Sequence, residues 1–162
     1  MALSRGQPIG VSHEDDEGTK DTKGAVLELE RLATIAIDCG FRLHQEVGPG
    51  LLENAYEVLL MHMLAKRGLS VERQKQIPIL FDGITIDRGF RVDLLIEGQL
   101  LIELKTVDRL APVHHKQVLI YLRFMNLPLG LLMNFSNGTF KEGRRRILNQ
   151  YDGPIDFAQN QV

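Results

Sequence analysis

A single cysteine, Cys39, stands in 162 residues. That excludes an intramolecular disulfide and any cysteine-based zinc cage. No apolar run approaches the roughly 20 residues that a membrane-spanning helix needs. The N-terminus lacks the basic-then-apolar pattern of a secretory signal. With no other address, the expectation is a cytoplasmic protein without membrane contact. Excess charge of one sign is also missing, since the formal net charge is −2. A protein that held polyanions by bulk electrostatics alone would be strongly basic, so that class is disfavoured. A nuclease is disfavoured less, because an acidic site offsets basic residues elsewhere. The one local basic cluster, Lys141-Glu142-Gly143-Arg144-Arg145-Arg146, reads either as a solvated surface or as phosphate contact.

What is present is ordinary for one globular domain. The hydrophobic fraction is 44% and the charged fraction 25%, enough to build a core in a chain of this length. Residues 1–24 carry Gly, Ser, Thr, Lys and the run Glu14-Asp15-Asp16-Glu17 without aromatics. Such a stretch cannot bury enough to offset its ordering entropy, so a disordered tail is expected there. A domain is expected over 25–151, and a flexible tail over 152–162. No internal repeat is visible.

Leu29, Leu32, Ala36, Cys39 and Leu43 recur at helical spacing between Val26 and Val47. Gly48-Pro49-Gly50 breaks that helix. A second is expected from about Leu52 to Lys66, with Tyr56, Leu59 and Met63 on its inner stripe and Arg67-Gly68 at its end. Val71 to Phe81 reads as a strand, edge-like or bulged at Pro78. Asp82-Gly83 signals a hairpin. The chain returns through Ile84 and Ile86, and then Phe90, Val92, Leu94 and Ile96 alternate on one face. Gly98 turns the chain into Leu100–Val107. Pro112 opens a helix that Asn126 and Pro128 stop. Leu129 to Phe135 is apolar enough for a strand buried on both sides, and Asn137-Gly138 suggests one more turn. The strand–helix–strand step should be a right-handed crossover adding a parallel strand. The expected fold class is α/β of the α+β type: a mixed sheet of three antiparallel strands plus one parallel strand, flanked by helices.

The chemistry lies in Arg91-Val92-Asp93-Leu94-Leu95-Ile96-Glu97-Gly98-Gln99-Leu100-Leu101-Ile102-Glu103-Leu104-Lys105. Side chains alternate along a strand, so Glu103 and Lys105 share a face. If the loop is Glu97-Gly98-Gln99, Asp93 lies opposite Glu103 with Cβ atoms roughly 4.5–5.5 Å apart. A loop ending at Gly98 would make them diagonal neighbours, about 7–8 Å apart. A two-residue turn would set them on opposite faces. Two carboxylates that close repel unless a cation bridges them or one keeps a proton. Oxygen ligands of this kind suit Mg²⁺ or Mn²⁺. A salt bridge between Lys105 and the two acids is the purely structural alternative.

Asp93, nine further residues, and then Glu103-Leu104-Lys105 resembles the signature of the PD-(D/E)XK nuclease superfamily. Gly50-Leu51-Leu52-Glu53-Asn54-Ala55-Tyr56 resembles the pattern that names its GxxExxY branch. Gln117-Val118-Leu119-Ile120-Tyr121 is similar to the QxxxY helix motif of RecB-like members. The resemblance covers residues 30 to about 148. Two departures stand out: Val92 occupies the position of the proline that often precedes the first acid, and the N-terminal stretch looks like an addition. The resemblance implies a restriction-endonuclease-like core and an Mg²⁺- or Mn²⁺-dependent phosphodiesterase acting on nucleic acid, DNA ahead of RNA. It implies that Asp93, Glu103 and the Leu104 carbonyl ligate the metal, with Glu53 as a further ligand or acting through a water. Lys105 would serve the attacking water, and Gln117 and Tyr121 would line the site from one helical face. His44 is a further candidate near the metal. His114 and His115 are expected to face solvent. A homodimer or an accessory protein would help hold substrate. The rivals are a nuclease-fold binding module without turnover and a protein-interaction domain unrelated to nucleic acid.

Overall fold

The computed structural model describes residues 17–150, with side chains from residue 20 onward. Helix α1 spans Glu17–Val47. It buries Leu32, Ala33, Ala36, Cys39 and Leu43 on one stripe, at the spacing the sequence displays. The helix starts inside the stretch expected to be a tail, so residues 17–24 are helical. Once the apolar stripe has nucleated the helix, each added residue gains a backbone hydrogen bond. The extension therefore continues although residues 20–27 are exposed. The other tail expectations lie outside the described residues.

At the break after α1, Gly48 has φ +73° and Gly50 φ +123°, a region that side chains disfavour. Tyr56 pins the break from the next helix. Its hydroxyl donates to the Gly48 carbonyl at 2.5 Å and accepts from the Leu51 amide at 3.2 Å. Its ring stacks on Phe135 at 4.6 Å. Helix α2, Glu53–Lys66, buries Tyr56, Glu57, Leu60 and Leu64, not the expected Leu59 and Met63. Leu59 is exposed and Met63 half-buried. This helix is apolar on several sides, so periodicity alone cannot select the inner stripe. A buried glutamate, Glu57, lies on the one it uses.

Strands β1 (Val71–Phe81), β2 (Ile84–Ile96), β3 (Leu100–Lys105), β4 (Leu129–Asn134) and β5 (Arg144–Leu148) form one sheet in chain order. All neighbours are antiparallel except β3 and β4, which flank helix α3 (Pro112–Met125) in sequence and pair in parallel. The architecture is a mixed α+β sheet with helices. One face packs on α1 and α2 through Leu94, Ile96, Leu100, Ile102, Leu104 and Met133. The other packs on Val118 and Leu122 of α3. That helix sits so close to β4 that a Cβ at Gly130 would come within 2.8 Å of Val118. The short helix α4 (Phe140–Gly143) and β5 have no counterpart in the expected element order. Of the β5 residues only Ile147 is buried, so an edge strand hides inside a basic cluster.

A second departure concerns β2. Phe90 and Val92 pack on the α3 side, whereas Leu94 and Ile96 pack on the α1–α2 side. The strand changes faces at Asp93, where unbroken alternation was expected. Opposite, between the pairs Arg73↔Leu94 and Lys75↔Val92, lies Gln74 with φ +54°. A left-handed residue there interrupts the pleat. Strand β2 meets β3 only at Leu94↔Ile102, Leu95↔Leu101 and Ile96↔Leu100. Ahead of that, β1 and β2 leave the sheet as a two-stranded ribbon, with a register shift between Ile77 and Ile79 at Pro78.

Tyr56→Phe keeps the ring stack but strips partners from the Gly48 carbonyl and the Leu51 amide. Urea unfolding should show a loss of about 1–3 kcal/mol. An unchanged midpoint would mean that the hydroxyl does not hold the glycine break.

Candidate active site

The fork between β2 and β3 is where charge collects. Continued one step past Leu94↔Ile102, the register sets Asp93 against Glu103. Asp93 Oδ2 accepts the Leu104 backbone amide at 2.9 Å. The amide and carbonyl of one strand residue point to the same side, so the Leu104 carbonyl faces this fork as well. Asp93 Oδ1 accepts from Gln74 Nε2 at 3.3 Å. Asp93 and Glu103 are 7% and 4% exposed, unusual burial for carboxylates.

Glu103 Oε1 accepts from Lys105 Nζ at 3.2 Å. Glu103 Oε2 is buried with no hydrogen-bond partner. Burial and the neighbouring Asp93 charge push the Glu103 carboxyl up to about 8, against the pull of Lys105. An acceptor held in that state loses its hydration without compensation.

Helix α2 brings Glu53 to the same place from its first turn. Burial raises the Glu53 carboxyl, Lys105 opposes the shift and Asp93 adds to it. One turn later Glu57, 2% exposed, accepts from Gln74 Nε2 at 2.6 Å and pairs with Arg73 Nε at 2.8 Å. Burial raises its carboxyl as well, opposed by the Gln74 hydrogen bond. Gln74 thus joins the buried Glu57 to Asp93. On α3, Gln117 Nε2 donates to the Tyr121 hydroxyl at 2.9 Å. The Tyr121 ring stacks on Phe90 at 4.2 Å.

Glu53, Asp93, Glu103, Lys105, Gln117 and Tyr121 all line one open cleft of about 410 Å³. The ribbon adds Gln76, Arg88, Phe90 and Arg91 to its wall. His44 is not among the lining residues. Its Nε2 lies 2.8 Å from the Asn137 carbonyl, beside Phe135 and Phe140. His114 Nδ1 accepts the Ala111 amide at 2.9 Å, capping α3, and is half-buried rather than solvent-facing, while His115 is exposed. The basic cluster borders a separate small cavity with Ile37 and Leu131, and Arg146 pairs with Glu30.

Among the described residues, no three Asp, Glu, His or Cys side chains are gathered into a ready metal-ligand cluster. The donors that do converge are one unpartnered carboxylate oxygen, a second carboxylate and a backbone carbonyl. That set fits an ion such as Mg²⁺, which takes one or two carboxylates and keeps several waters. Gln74, Glu57 and Arg73 escaped the sequence reading. The available signal was Glu57 itself, an acid inside the apolar run Tyr56–Leu60, whose burial required partners.

Among the described residues, no helix is long and apolar enough to cross a membrane. No curated protein and no solved structure matches the chain. A family model does match, over residues 30–147, and its description is the PD-(D/E)XK nuclease superfamily. The matched stretch contains every residue of the cleft. The chain therefore belongs to the PD-(D/E)XK nuclease superfamily.

Proposed function

We propose that this protein is a nuclease of the GxxExxY branch that hydrolyses phosphodiester bonds in nucleic acid with Mg²⁺ or Mn²⁺. The observation that carries the proposal is Glu103 Oε2, a buried acceptor without a partner, set beside Asp93 and Lys105 on the floor of the cleft. Asp93, Glu103 and the Leu104 carbonyl would hold the cation, with Glu53 joining directly or through a water. Bound there, a divalent cation draws charge from the phosphate transition state and makes a water more acidic. Lys105, held by Glu103 Oε1, orients the attacking water and offsets charge building on the phosphate. The Tyr121 hydroxyl accepts from Gln117, which leaves its own proton to donate to a phosphate oxygen. The preference for DNA over RNA rests on the superfamily resemblance rather than on the cleft. Assignment to the GxxExxY branch is supported by distinct jobs for its three positions. Gly50 takes a φ that glycine favours, Glu53 lines the cleft, and Tyr56 pins the break before α2.

The test is cleavage of single- and double-stranded DNA and RNA with Mn²⁺. Lys105→Ala should lower turnover by about 100- to 1,000-fold, with calorimetric Mn²⁺ binding nearly intact. Glu103→Gln should lose both binding and cleavage. If Lys105→Ala cuts as fast as wild type, the role given to the lysine is wrong.

Metal-free stability should depend on pH with a definite sign. Folded Glu103 keeps its proton up to about 8, whereas an unperturbed glutamate ionises near 4.5. Between those values the folded state binds more protons, so stability falls as pH rises through the window. Melting temperatures between pH 5 and 9 should decline in wild type, and less so in Glu103→Gln. Saturating Mn²⁺ should reduce the decline, because binding to the folded state stabilises it. An identical decline in Glu103→Gln would show that another group sets the pH dependence.

A further inference from the structure

Arg88 and Arg91, both on β2, line the same cleft as the acids and are exposed. None of the ion pairs among the described residues involves either one. Positions three apart on a regular strand face opposite sides. Here both reach the cleft, and the ribbon between them is irregular. Its register shifts between Ile77 and Ile79 on the opposite strand. Gly89 packs on Ile79 with no room for a Cβ. Gln76, paired with Arg91 across the ribbon, lines the cleft beside it.

The charges in the cleft are therefore layered. Asp93 and Glu103 lie buried on the floor, and the two arginines stand exposed on the ribbon. A neutralising role for the arginines would place them against the carboxylates, as Arg73 is placed against Glu57. Instead both stay exposed on the cleft wall without an ion pair among the described residues, and the Arg91 charge reaches the buried Glu57 only at longer range. With a net charge of −2, the chain as a whole offers such a ligand no attraction, so local cations must supply it.

We propose that Arg88 and Arg91 bind phosphates of the nucleic-acid backbone flanking the bond to be cut, which makes the β1–β2 ribbon a docking arm for the substrate strand. The inference rests on the nuclease reading above and extends it to the substrate contacts. Arginine suits the task, because its planar fork can give a phosphate two parallel hydrogen bonds. Such contacts position the strand and carry no sequence information.

The experiment measures anisotropy of a fluorescein-labelled DNA duplex against KCl concentration, in a Glu103→Gln background that leaves the probe intact. Each phosphate contact contributes about 0.9 to the slope of log K against log salt. Arg88→Ala and Arg91→Ala should each lower the slope by about 0.9, and the double variant by about 1.8. Arg→Lys at either site should restore the slope. Arg145→Ala, on β5 away from the cleft, should leave it unchanged. In the wild-type background, the two alanine variants should raise KM for cleavage with kcat nearly constant, and leave Mn²⁺ affinity and melting temperature in place. Arg→Gln variants provide a second check against a folding defect. If wild type cuts DNA and the double alanine variant keeps the full slope, the docking arm is wrong and the nuclease reading stands. The arm is likewise wrong if the alanine variants change Mn²⁺ affinity but not the slope, because the arginines then only balance the acids. If wild type cuts nothing and the Glu103→Gln protein does not bind the probe, the nuclease reading fails and takes the arm with it.

Discussion

The Asp93 carboxylate accepts the Leu104 amide at the point where β2 and β3 part, and the rest of the cleft follows from that contact. A strand that leaves its neighbour exposes backbone donors and acceptors on the strand left behind, and each must find a partner. Here a side chain from the departing strand supplies one, which allows the separation without leaving the Leu104 amide unsatisfied. The separation in turn makes room for Glu103 and Lys105 to open into a cleft rather than lie under a third strand. One hydrogen bond therefore both ends the β2–β3 ladder and fixes an acid in the cleft that Glu103 and Lys105 line.

Holding Asp93 in place requires support from behind, and the fold provides it through an unusual backbone. Gln74 takes a left-handed conformation in the middle of β1, and its amide reaches both Asp93 and Glu57. Glu57 is buried, but Arg73 and Gln74 occupy its Oε1. The contrast with Glu103 is informative. Both are buried glutamates among mostly apolar neighbours. One has a cation and an amide on the same oxygen, and the other has a lysine on one oxygen and nothing on its second. The two differ in what is left over: Glu103 keeps a buried oxygen without a hydrogen-bond partner and lines the cleft, and Glu57 does neither.

Much of this was legible in the sequence, and the failures have physical causes. The span of β1 and the start of α3 could be read to the residue and the end of α3 approximately, because Asp82-Gly83, Pro112 and Asn126 are strong local signals. The odd length of the Gly98 turn was one of several possibilities, and the pairing Ile96↔Leu100 selects it. The face change at Asp93 could not be read, since alternation in β2 is unbroken and its cause, Gln74, sits on another strand. Strand β5 was missed because it offers only one inward apolar residue. The inner stripe of α2 was missed because nearly every side of that helix is apolar. The candidates Glu53, Asp93, Glu103, Lys105, Gln117 and Tyr121 come from three separate segments. Motif spacing could nominate them, but only the sheet and the two helices bring them to a common cleft.

The remaining question is why a stable fold retains the unsatisfied Glu103 oxygen. An apolar residue of similar size would remove both the desolvation cost and the repulsion from Asp93, and buried ionic groups are often replaceable in this way without loss of stability. Stability therefore does not account for the glutamate. On the nuclease reading, a cation that binds the folded state and supplies the missing positive charge would, because it turns a destabilising acceptor into a binding contact. The same logic explains the position of Lys105. A lysine placed only to neutralise Glu103 would do best by engaging both carboxylate oxygens, and this one engages Oε1 alone. It leaves the second oxygen buried without a partner in the cleft that Asp93 also lines. On the nuclease reading, that oxygen is kept for the cation, and the lysine stands beside it at the position where water and phosphate would meet.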